Sequence, residues 1–484
     1  MVEKLEELKP GNLWKHFEMF LKIPRCSGNE RAIGDYVLDF AGNLKLDCKR
    51  DDVGNVVVSK PGSPGHEEGE IVVLQGHLDM VCEKNSDVDH DFTKDPIKAI
   101  VKDDWVQAEG TTLGADNGIG CSAALAIMED ENLVHPPMEF LFTVDEETGL
   151  TGARKIPADF LKGRRMLNLD SEDEGEFTIG CAGGADTIIS LPLEREKTSD
   201  KEGHTIKLSG FRGGHSGIDI NQGRGNAIKL LARILQQTLS RVSFELSRFE
   251  GGNLRNAIPR EAEAQVLINP SDLEEFLDAT KESFAEIKNE FNAIEKDAAL
   301  KVEKSDEVTE NPIPSHSMKD LINLLISLPH GVISMHPEID GLVETSNNVA
   351  VVRMQKDKTD IICSTRSSVS SALDAARGVL SALSQLAGAN VTLEEGYPGW
   401  SPDLQSPILK TLKEIYKRVF NTEPEVAAVH AGLECGIIGE KFPGMDMISF
   451  GPTIQHPHSP DERIHIGSVE KFWSFLTTIL EELA

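Results

Sequence analysis

The strongest constraint on the fold is an alternation, between residues 50 and 180, of short apolar segments with longer helix-like segments. Four short segments are apolar at nearly every position, namely residues 55–59, 71–75, 138–144 and 166–170. Strands that are apolar on both faces are typical of a mostly parallel sheet covered by helices on both sides. Residues 118–128, which are small and apolar, predict one of those helices. The pattern therefore predicts an α/β fold.

The pattern changes near residue 186 and returns near residue 397. Between these points a strand followed by a helix is predicted twice, at 205–208 with 226–235 and at 360–364 with 372–380. The first pattern then resumes with a helix at 408–418, a strand at 445–450 and a closing amphipathic helix through 472–476. We therefore predict a split catalytic domain, residues 1–185 and 397–484, with a mostly parallel sheet. Residues 186–396 are predicted to form an inserted α+β lid domain of two similar halves.

The charge balance excludes several classes of protein. The chain has 80 Asp and Glu against 49 Lys and Arg, which gives a formal net charge of −31. Because nucleic-acid binding needs basic contacts with phosphates, this charge disfavours it, and it disfavours anionic membrane surfaces as well. No segment approaches the roughly 18 uninterrupted apolar residues of a membrane span, and residues 1–20 lack the apolar core of a signal peptide. We expect a cytoplasmic protein.

The cysteine pattern supports the same location. The seven cysteines are odd in number, widely scattered and never spaced C-x-x-C. Such a pattern is typical of reduced thiols in a cytosolic protein, most of them buried as small apolar side chains.

Polar side chains follow several of the predicted strands. His77 directly follows one strand, Glu146 and Glu147 follow another, and Asp170 ends a third. The carboxyl ends of strands in an open α/β sheet build its ligand sites, so these groups are expected at one edge, where a cation would neutralise their charge. Asp79 is placed to orient His77. In the acidic pair, one carboxylate can ligate a metal while the other handles protons.

Two further candidates come from loops. Asp116 lies between a tight turn and a helix start, where a simple helix N-cap is the alternative interpretation. His458 lies in a loop after the strand ending at residue 450, with His456 as a rival. The set of nitrogen and oxygen donors, without a thiolate, suits a dinuclear hydrolytic centre of two divalent ions, Zn with Mn or Co as alternatives. The proposed ligands are His77, Asp116, Glu147, Asp170 and His458.

The motifs that carry these residues resemble, in order and separation, those of the co-catalytic zinc peptidase family that includes carnosinases, acetylornithine deacetylase and succinyl-diaminopimelate desuccinylase. They span residues 76–79, 114–118, 145–149, 169–170 and 458–462. Additional runs resemble the dipeptidase branch of this family; they span residues 169–172, 213–217, 253–259 and 430–435. The resemblance implies hydrolysis of small dipeptides, Xaa-His dipeptides such as carnosine among them, by a metal-activated water.

The resemblance also implies roles for individual residues. Asp116 would bridge two metals, with His77 and Asp170 completing one site and Glu147 and His458 the other. Glu146 would be the general base and Asp79 the residue that orients His77. In the lid, the implied substrate-contacting residues are His215, for the tetrahedral oxyanion, and Asn256 and Arg366, for the oxyanion or the substrate carboxylate.

Other functions share these motifs. An N-acyl amino-acid deacylase or a tripeptidase of the same family would carry the same metal ligands, because the lid decides the substrate. A metal-binding scaffold without catalysis is a third alternative, although it has no need of the unligated base Glu146. In dimeric members of the family the lid histidine, here His215, comes from the partner chain, whereas a lid of two halves could supply it within one chain. The sequence therefore leaves the oligomeric state undecided, and a homodimer is one of the alternatives.

Overall fold

The structure is a computed structural model that describes residues 5–197, 201–305 and 310–484. The chain divides into two compact units. The first comprises Met1–Gly180, Pro402–Ala428 and Leu433–Ala484, and the second comprises Cys181–Ser401 and Val429–Gly432. Among the described residues, no helix is long and apolar enough to cross a bilayer.

The strands are numbered in chain order. They are β1 (Asp47–Arg50), β2 (Val56–Lys60), β3 (Val72–His77), β4 (Ala99–Lys102), β5 (Trp105–Ala108), β6 (Met138–Thr143), β7 (Arg165–Asn168), β8 (Glu176–Cys181), β9 (Gly183–Pro192), β10 (Glu202–Ser209), β11 (Gly214–His215), β12 (Glu245–Gly251), β13 (Ala257–Ile258), β14 (Ala262–Ile268), β15 (Ala299–Lys304), β16 (Gly331–Met335), β17 (Val343–Met354), β18 (Lys358–Ser367), β19 (Asn390–Leu393), β20 (Glu425–Val429), β21 (Asp446–Ser449), β22 (Ile454–Gln455) and β23 (Arg463–His465).

The helices are numbered in the same way. They are α1 (Gly11–Lys22), α2 (Arg31–Asn43), α3 (Ala115–Glu129), α4 (Glu146–Gly149), α5 (Thr151–Lys155), α6 (Ala227–Leu239), α7 (Leu273–Glu290), α8 (Ser315–Ser327), α9 (Ser370–Leu386), α10 (Pro407–Phe420), α11 (Glu434–Lys441) and α12 (Ile466–Leu483). Two 3-10 helices span Leu5–Glu7 and Pro270–Asp272.

The first unit is built on an eight-stranded sheet with the order β1-β2-β6-β3-β7-β21-β8-β20. The four central strands, β6, β3, β7 and β21, are parallel neighbours. On one side β2 and β1 are antiparallel, and on the other β8 is antiparallel to β21. This confirms the predicted α/β class. The carboxyl ends of the four central strands share one edge of the sheet.

The second unit is built on a nine-stranded antiparallel sheet with the order β15-β10-β14-β12-β17-β18-β9-β19 and with β16 beside β17. Its two halves have the same topology. The elements β10-α6-β12-β14-α7-β15 form one half, and β9-α8-β17-β18-α9-β19 form the other. When the four strands of a half are counted along the chain, they lie side by side in the sheet in the order fourth, first, third, second: β15-β10-β14-β12 in one half and β19-β9-β18-β17 in the other. The two similar halves predicted from the sequence are therefore present, and one is inserted between β9 and α8 of the other.

The small residues of α3 allow its close packing on the sheet. A Cβ atom on Gly120 would lie 2.6 Å from the carbonyl oxygen of Leu169, and one on Gly118 would lie 2.6 Å from a guanidinium nitrogen of Arg25. Almost every residue of α3 is buried, because α1 and β3 both pack against it. Just before the helix, Gly114 has a φ of 72°, which favours glycine.

The reduced state predicted for all seven cysteines is wrong for Cys26 and Cys82, which form a disulfide. They lie 56 residues apart in the sequence. The chain brings them together because Cys26 pairs with Met80 in an isolated parallel bridge, and the Met80 N–H donates to the carbonyl oxygen of Arg25 at 3.1 Å. The spacing of the cysteines in the sequence does not indicate that these two would pair.

Candidate metal centre

The predicted metal ligands of the first unit come from strand ends and from two loops. His77 is the last residue of β3, and Asp170 follows β7 by two residues. Glu147 lies in α4, shortly after β6. Because β6, β3 and β7 are parallel neighbours, their ends lie side by side. Asp116 comes from the turn that opens α3, and His458 from the loop between β22 and β23.

Asp116 lies between the two histidines. Its Oδ1 is 3.0 Å from Nε2 of His77, and its Oδ2 is 3.1 Å from Nε2 of His458. On one side Nε2 of His77 is also 3.2 Å from Oδ1 of Asp170. On the other side Nε2 of His458 is 3.0 Å from Oε2 of Glu147. Each oxygen of Asp116 therefore lies beside a different imidazole, and each imidazole also lies beside a second acid.

The ligand atoms form three groups whose members all lie within 4.8 Å of one another among the described residues. The groups are His77 with Asp116 and Asp170, Asp116 with Glu147 and His458, and His77 with Glu146 and Glu147. Asp116 belongs to the first two groups, whereas Glu146 belongs to the third alone. The rival His456 is exposed and belongs to none of them.

The donor set fits divalent metal ions. It consists of imidazole nitrogens and carboxylate oxygens, the ligands that Zn, Mn and Co share. Oε1 of Glu147 is buried and has no hydrogen-bond partner within the described chain, so a ligand atom is held out of water without a protein donor. Three carboxylates surround two imidazoles, and a cation would neutralise the excess negative charge.

The acids and histidines of the cluster shift one another's pKa values. Hydrogen bonds with Asp116 and Glu147 raise the pKa of His458 to about 11. Burial, with the neighbouring carboxylates, raises the pKa of Asp170 to about 6. Burial lowers the pKa of His77, but its acidic neighbours, led by Asp170, outweigh that effect and raise the pKa well above its usual value.

Asp79 is fully buried and connects His77 to the acidic pair. Its Oδ1 lies 3.4 Å from Nδ1 of His77 and accepts the backbone N–H of Glu146 at 3.1 Å. Its Oδ2 accepts the backbone N–H of Glu147 at 3.2 Å and the hydroxyl of Ser27 at 2.7 Å. Although burial alone would raise the pKa of Asp79, the adjacent imidazole of His77 and the hydrogen bonds from Ser27 and Glu146 lower it to about 2. One carboxylate thus positions three residues of the centre.

Glu146 belongs to one ligand group, with His77 and Glu147, and that group does not contain Asp116. Burial, together with the nearby carboxylates of Asp170 and Glu434, raises the pKa of Glu146 well above its usual value, although His77 opposes that shift. The side chain lies beside His77 and Glu147 but not in either group that contains Asp116. Its position suits a group that exchanges protons rather than one that bridges metals.

A buried polar layer beneath the centre was not predicted. Oε2 of Glu434, in α11, accepts hydrogen bonds from Gln75 at 2.7 Å and from Thr143 at 2.6 Å. Gln75 in turn accepts from Asn168, which accepts from Ser449. Burial raises the pKa of Glu434 to about 8. The available signal was the run of residues 430–435, in which an acid lies among small and apolar side chains.

In the second unit, two of the predicted lid residues are held by hydrogen bonds. Nδ1 of His215 accepts the backbone N–H groups of Gly217 at 3.2 Å and Ile218 at 3.1 Å, which leaves Nε2 to carry the proton of the neutral ring. Burial and the charge of Arg366 lower the pKa of His215. Arg366 is buried and donates to the hydroxyl of Tyr397 at 2.9 Å.

The third predicted lid residue, Asn256, is exposed. Its carbonyl oxygen accepts the backbone N–H of Ser216 at 2.8 Å, and Ala257 pairs with His215 in the short ladder of β11 and β13. The backbone of Asn256 therefore supports the turn that carries His215.

The fold and the ligand groups fit a hydrolase that uses divalent metal ions. The sequence model of the family described as "Peptidase family M20/M25/M40" matches residues 73–482 of the chain. The chain belongs to this family, which confirms the family that the sequence motifs predict.

Relatives of known name are similar over the full length. The chain is 43% identical over 486 residues to the cytosol non-specific dipeptidase of Escherichia coli (strain K12), covering 100% of this chain and 99% of that protein. The crystal structure of aminoacylhistidine dipeptidase from Vibrio alginolyticus matches with a TM-score of 0.92 at 40% identity and covers 100% of this chain and 99% of that one. Aminopeptidase PepT from Bacillus cereus ATCC 10987 shares the fold, with a TM-score of 0.57 at 15% identity over 98% of this chain and 99% of that one.

Proposed function

We propose that the protein is a metal-dependent dipeptidase that hydrolyses Xaa-His dipeptides and, more broadly, other dipeptides. The observation that carries the proposal is the position of Asp116, with one carboxylate oxygen close to each of two histidines. The full-length similarity to two proteins named as dipeptidases supports the substrate class. The cytoplasmic location is part of the proposal and is supported by the word "cytosol" in the name of the E. coli relative.

Two divalent cations, proposed to be Zn, fit the ligand groups. His77, Asp116 and Asp170 would hold one ion, and Asp116, Glu147 and His458 the other. When bound, such ions lower the pKa of water toward neutrality and polarise the carbonyl group of the substrate. The role of the chain's own side chains is to hold these ions and to move protons.

Glu146 is proposed as the general base. One of its carboxylate oxygens takes a proton from the attacking water as the new C–O bond forms at the scissile carbonyl carbon. The same group then gives that proton to the amide nitrogen as the C–N bond breaks, and the second amino acid leaves as a free amine. Asp79 fixes the backbone of Glu146 and Glu147 and the ring of His77 during these steps.

The roles in the inserted lid, residues 186–396, are proposed from the family resemblance. His215 would donate from Nε2 to the oxyanion that develops in the transition state. Arg366 would bind the free carboxylate of the dipeptide through a charge-assisted hydrogen bond, and Asn256 would contact the substrate at the oxyanion or at the carboxylate. Binding of a terminal carboxylate would restrict the enzyme to short substrates.

A substrate panel tests the proposal. The purified protein, supplied in turn with Zn, Mn and Co after chelation, is assayed with carnosine, other Xaa-His dipeptides, acetylornithine and a tripeptide. We expect release of free histidine from the dipeptides at a higher kcat/KM than any reaction of the other two substrates. A preference for acetylornithine would indicate a deacylase and a preference for the tripeptide a tripeptidase. Metal binding without any hydrolysis would indicate a scaffold.

A further inference from the structure

Glu462 is a buried carboxylate that contacts the turn carrying Asp116. Its side chain is 2% exposed. Oε2 accepts the backbone N–H groups of Leu113 at 2.7 Å and Gly114 at 2.9 Å, and Oε1 accepts those of Ala115 at 2.7 Å and Asp116 at 3.3 Å. Four consecutive N–H groups thus converge on a single carboxylate. Each of its two oxygens accepts two of these donors, so one side chain fixes the backbone of the whole turn.

Arg25 binds the same turn at the carbonyl oxygen of Gly114. Its guanidinium is buried and donates to the carbonyl oxygen of Gly114 and to those of Leu78 at 3.0 Å and Asp79 at 2.7 Å. A Cβ atom on Gly114 would lie 2.5 Å from this guanidinium. The turn is therefore held between the buried carboxyl group of Glu462, which accepts from its N–H groups, and the buried guanidinium of Arg25, which donates to the carbonyl oxygen of Gly114.

Glu462 belongs to the loop that carries His458. The loop joins β22 to β23, and its end is fixed by the N–H of Glu462, which donates to the carbonyl oxygen of Ser459 at 3.0 Å. The strand β23, which follows immediately, pairs with β5. One side chain thus connects the loop of His458 to the turn of Asp116, the two segments whose ligand atoms meet at 3.1 Å.

We propose that Glu462 is a positioning residue that sets the separation between Asp116 and His458 and thereby the affinity for the second metal ion. This inference rests on the proposed metal centre. Glu462 does not contact the reacting atoms; it acts through the backbone of the turn. A glutamine at this position keeps the shape but offers one acceptor oxygen and an NH₂ group, which would face N–H donors. The turn must then move, and Asp116 moves with it.

The test compares metal binding in Glu462→Gln with that in Asp461→Asn. Asp461 is the adjacent residue, its side chain is exposed, and its replacement removes the same charge. Each protein is stripped by chelation and titrated with Zn²⁺ and Co²⁺ against a competing chromophoric chelator. We expect Glu462→Gln to bind the weaker of its two ions about 10–100-fold less tightly, the range for residues that orient metal ligands, and Asp461→Asn to bind as the wild type does.

A second measurement separates positioning from a general structural role. At saturating metal, kcat of Glu462→Gln for a dipeptide should return toward the wild-type value with an unchanged KM, because the reacting groups are intact. A merely structural role would lower the melting temperature of the metal-free protein without this metal-dependent rescue. Should Glu462→Gln fail to fold, Glu462→Asp, which keeps the charge but shortens the reach, is titrated instead and should also bind metal more weakly.

Wild-type metal affinity in Glu462→Gln, or in Glu462→Asp where the first variant does not fold, would overturn the proposal. An equal loss in Asp461→Asn would overturn it too, since charge alone would then explain the effect. The proposed function fails separately: if the wild type hydrolyses no dipeptide while Glu462→Gln still loses metal affinity, the positioning role stands and the dipeptidase assignment falls.

Discussion

The acidic cluster of the first unit and the polar residues of the second unit are held in different ways. In the first unit, Asp116 divides its oxygens between two imidazoles, and Glu147 keeps a buried oxygen without a hydrogen-bond donor among the described residues. In the second unit, backbone N–H groups fix the ring of His215, and Tyr397 accepts from Arg366. A cation would neutralise the carboxylates of the first unit, whereas hydrogen bonds within the protein already orient His215 and Arg366 in the second.

This difference separates the consequences of mutation. Changes in the first unit should alter metal content or the proton transfer that depends on it. Changes in the second unit should alter turnover or substrate binding while the metal content stays the same. Each variant below is therefore measured for bound metal as well as for activity.

The largest effect is expected for Asp116→Ala. Without this carboxylate two cations would repel each other, so at least one should be lost. The loss of activity should exceed the roughly 10²–10⁴-fold contribution of a single general acid–base residue. Elemental analysis and kcat/KM measure the two effects, with Asp461→Ala as a control that removes an exposed acid. Two metals per chain in Asp116→Ala would contradict the bridging role.

The same substitution in Glu146 and in Glu147 should separate proton transfer from metal binding within the first unit. Glu146→Gln should keep both metals and bind substrate but lose about 10²–10⁴-fold in kcat, because an amide cannot accept the proton. Glu147→Gln is the matched variant, with the same change one residue along, and should instead bind metal more weakly. Substantial activity in Glu146→Gln would reject its role as the base.

In the second unit, His215→Ala should lower kcat by about 10²–10³-fold, the scale for one oxyanion donor. Metal content should be unchanged and KM little altered, because the donor acts mainly in the transition state. His316→Ala, which removes an exposed histidine of α8, is the control. Wild-type turnover in His215→Ala would remove this residue from the mechanism.

The same variant addresses the oligomeric state. His215→Ala chains are mixed with inactive Glu146→Gln chains under conditions where subunit exchange is verified. Recovery of activity would show that the histidine acts on a partner chain's centre, and no recovery would favour supply within one chain.

The smallest effect is expected for Arg366→Ala. Loss of a charge-assisted hydrogen bond of about 1.5–3 kcal/mol should raise KM for free dipeptides by roughly 10–100-fold. C-terminal amides of the same dipeptides should be affected far less, and metal content should not change. Arg241→Ala, which removes an exposed arginine of the same unit, is the control. Equal losses on acids and amides would exclude the carboxylate anchor.

Local patterns predicted most of the framework. The mostly apolar segments at residues 71–75 and 138–144 overlap β3 and β6, in which every residue is buried. The polar residues that directly follow strands were visible because a parallel sheet brings its strand ends to one edge. Asp116 and His458, which lie in a turn and a loop, were candidates from the residues alone, and the family motifs favoured them over a simple helix N-cap and over His456.

The remaining features depend on contacts between distant segments. Glu462 lies in one of the family motifs, residues 458–462, but its proposed role depends on a turn 346–349 residues earlier in the chain. The disulfide between Cys26 and Cys82 depends on an isolated bridge, and Glu434 on neighbours in two strands. No local periodicity encodes such pairs, because each partner taken alone resembles an ordinary surface acid or a buried thiol.

Reconstitution of the metal-free protein tests the dinuclear centre directly. Chelated enzyme is titrated with Zn²⁺ while hydrolysis of carnosine or another Xaa-His dipeptide is followed. We expect no activity without metal and a rise in activity that ends at two equivalents of metal per chain. Full activity in the metal-free protein, or a plateau at one equivalent, would contradict a dinuclear centre built around Asp116.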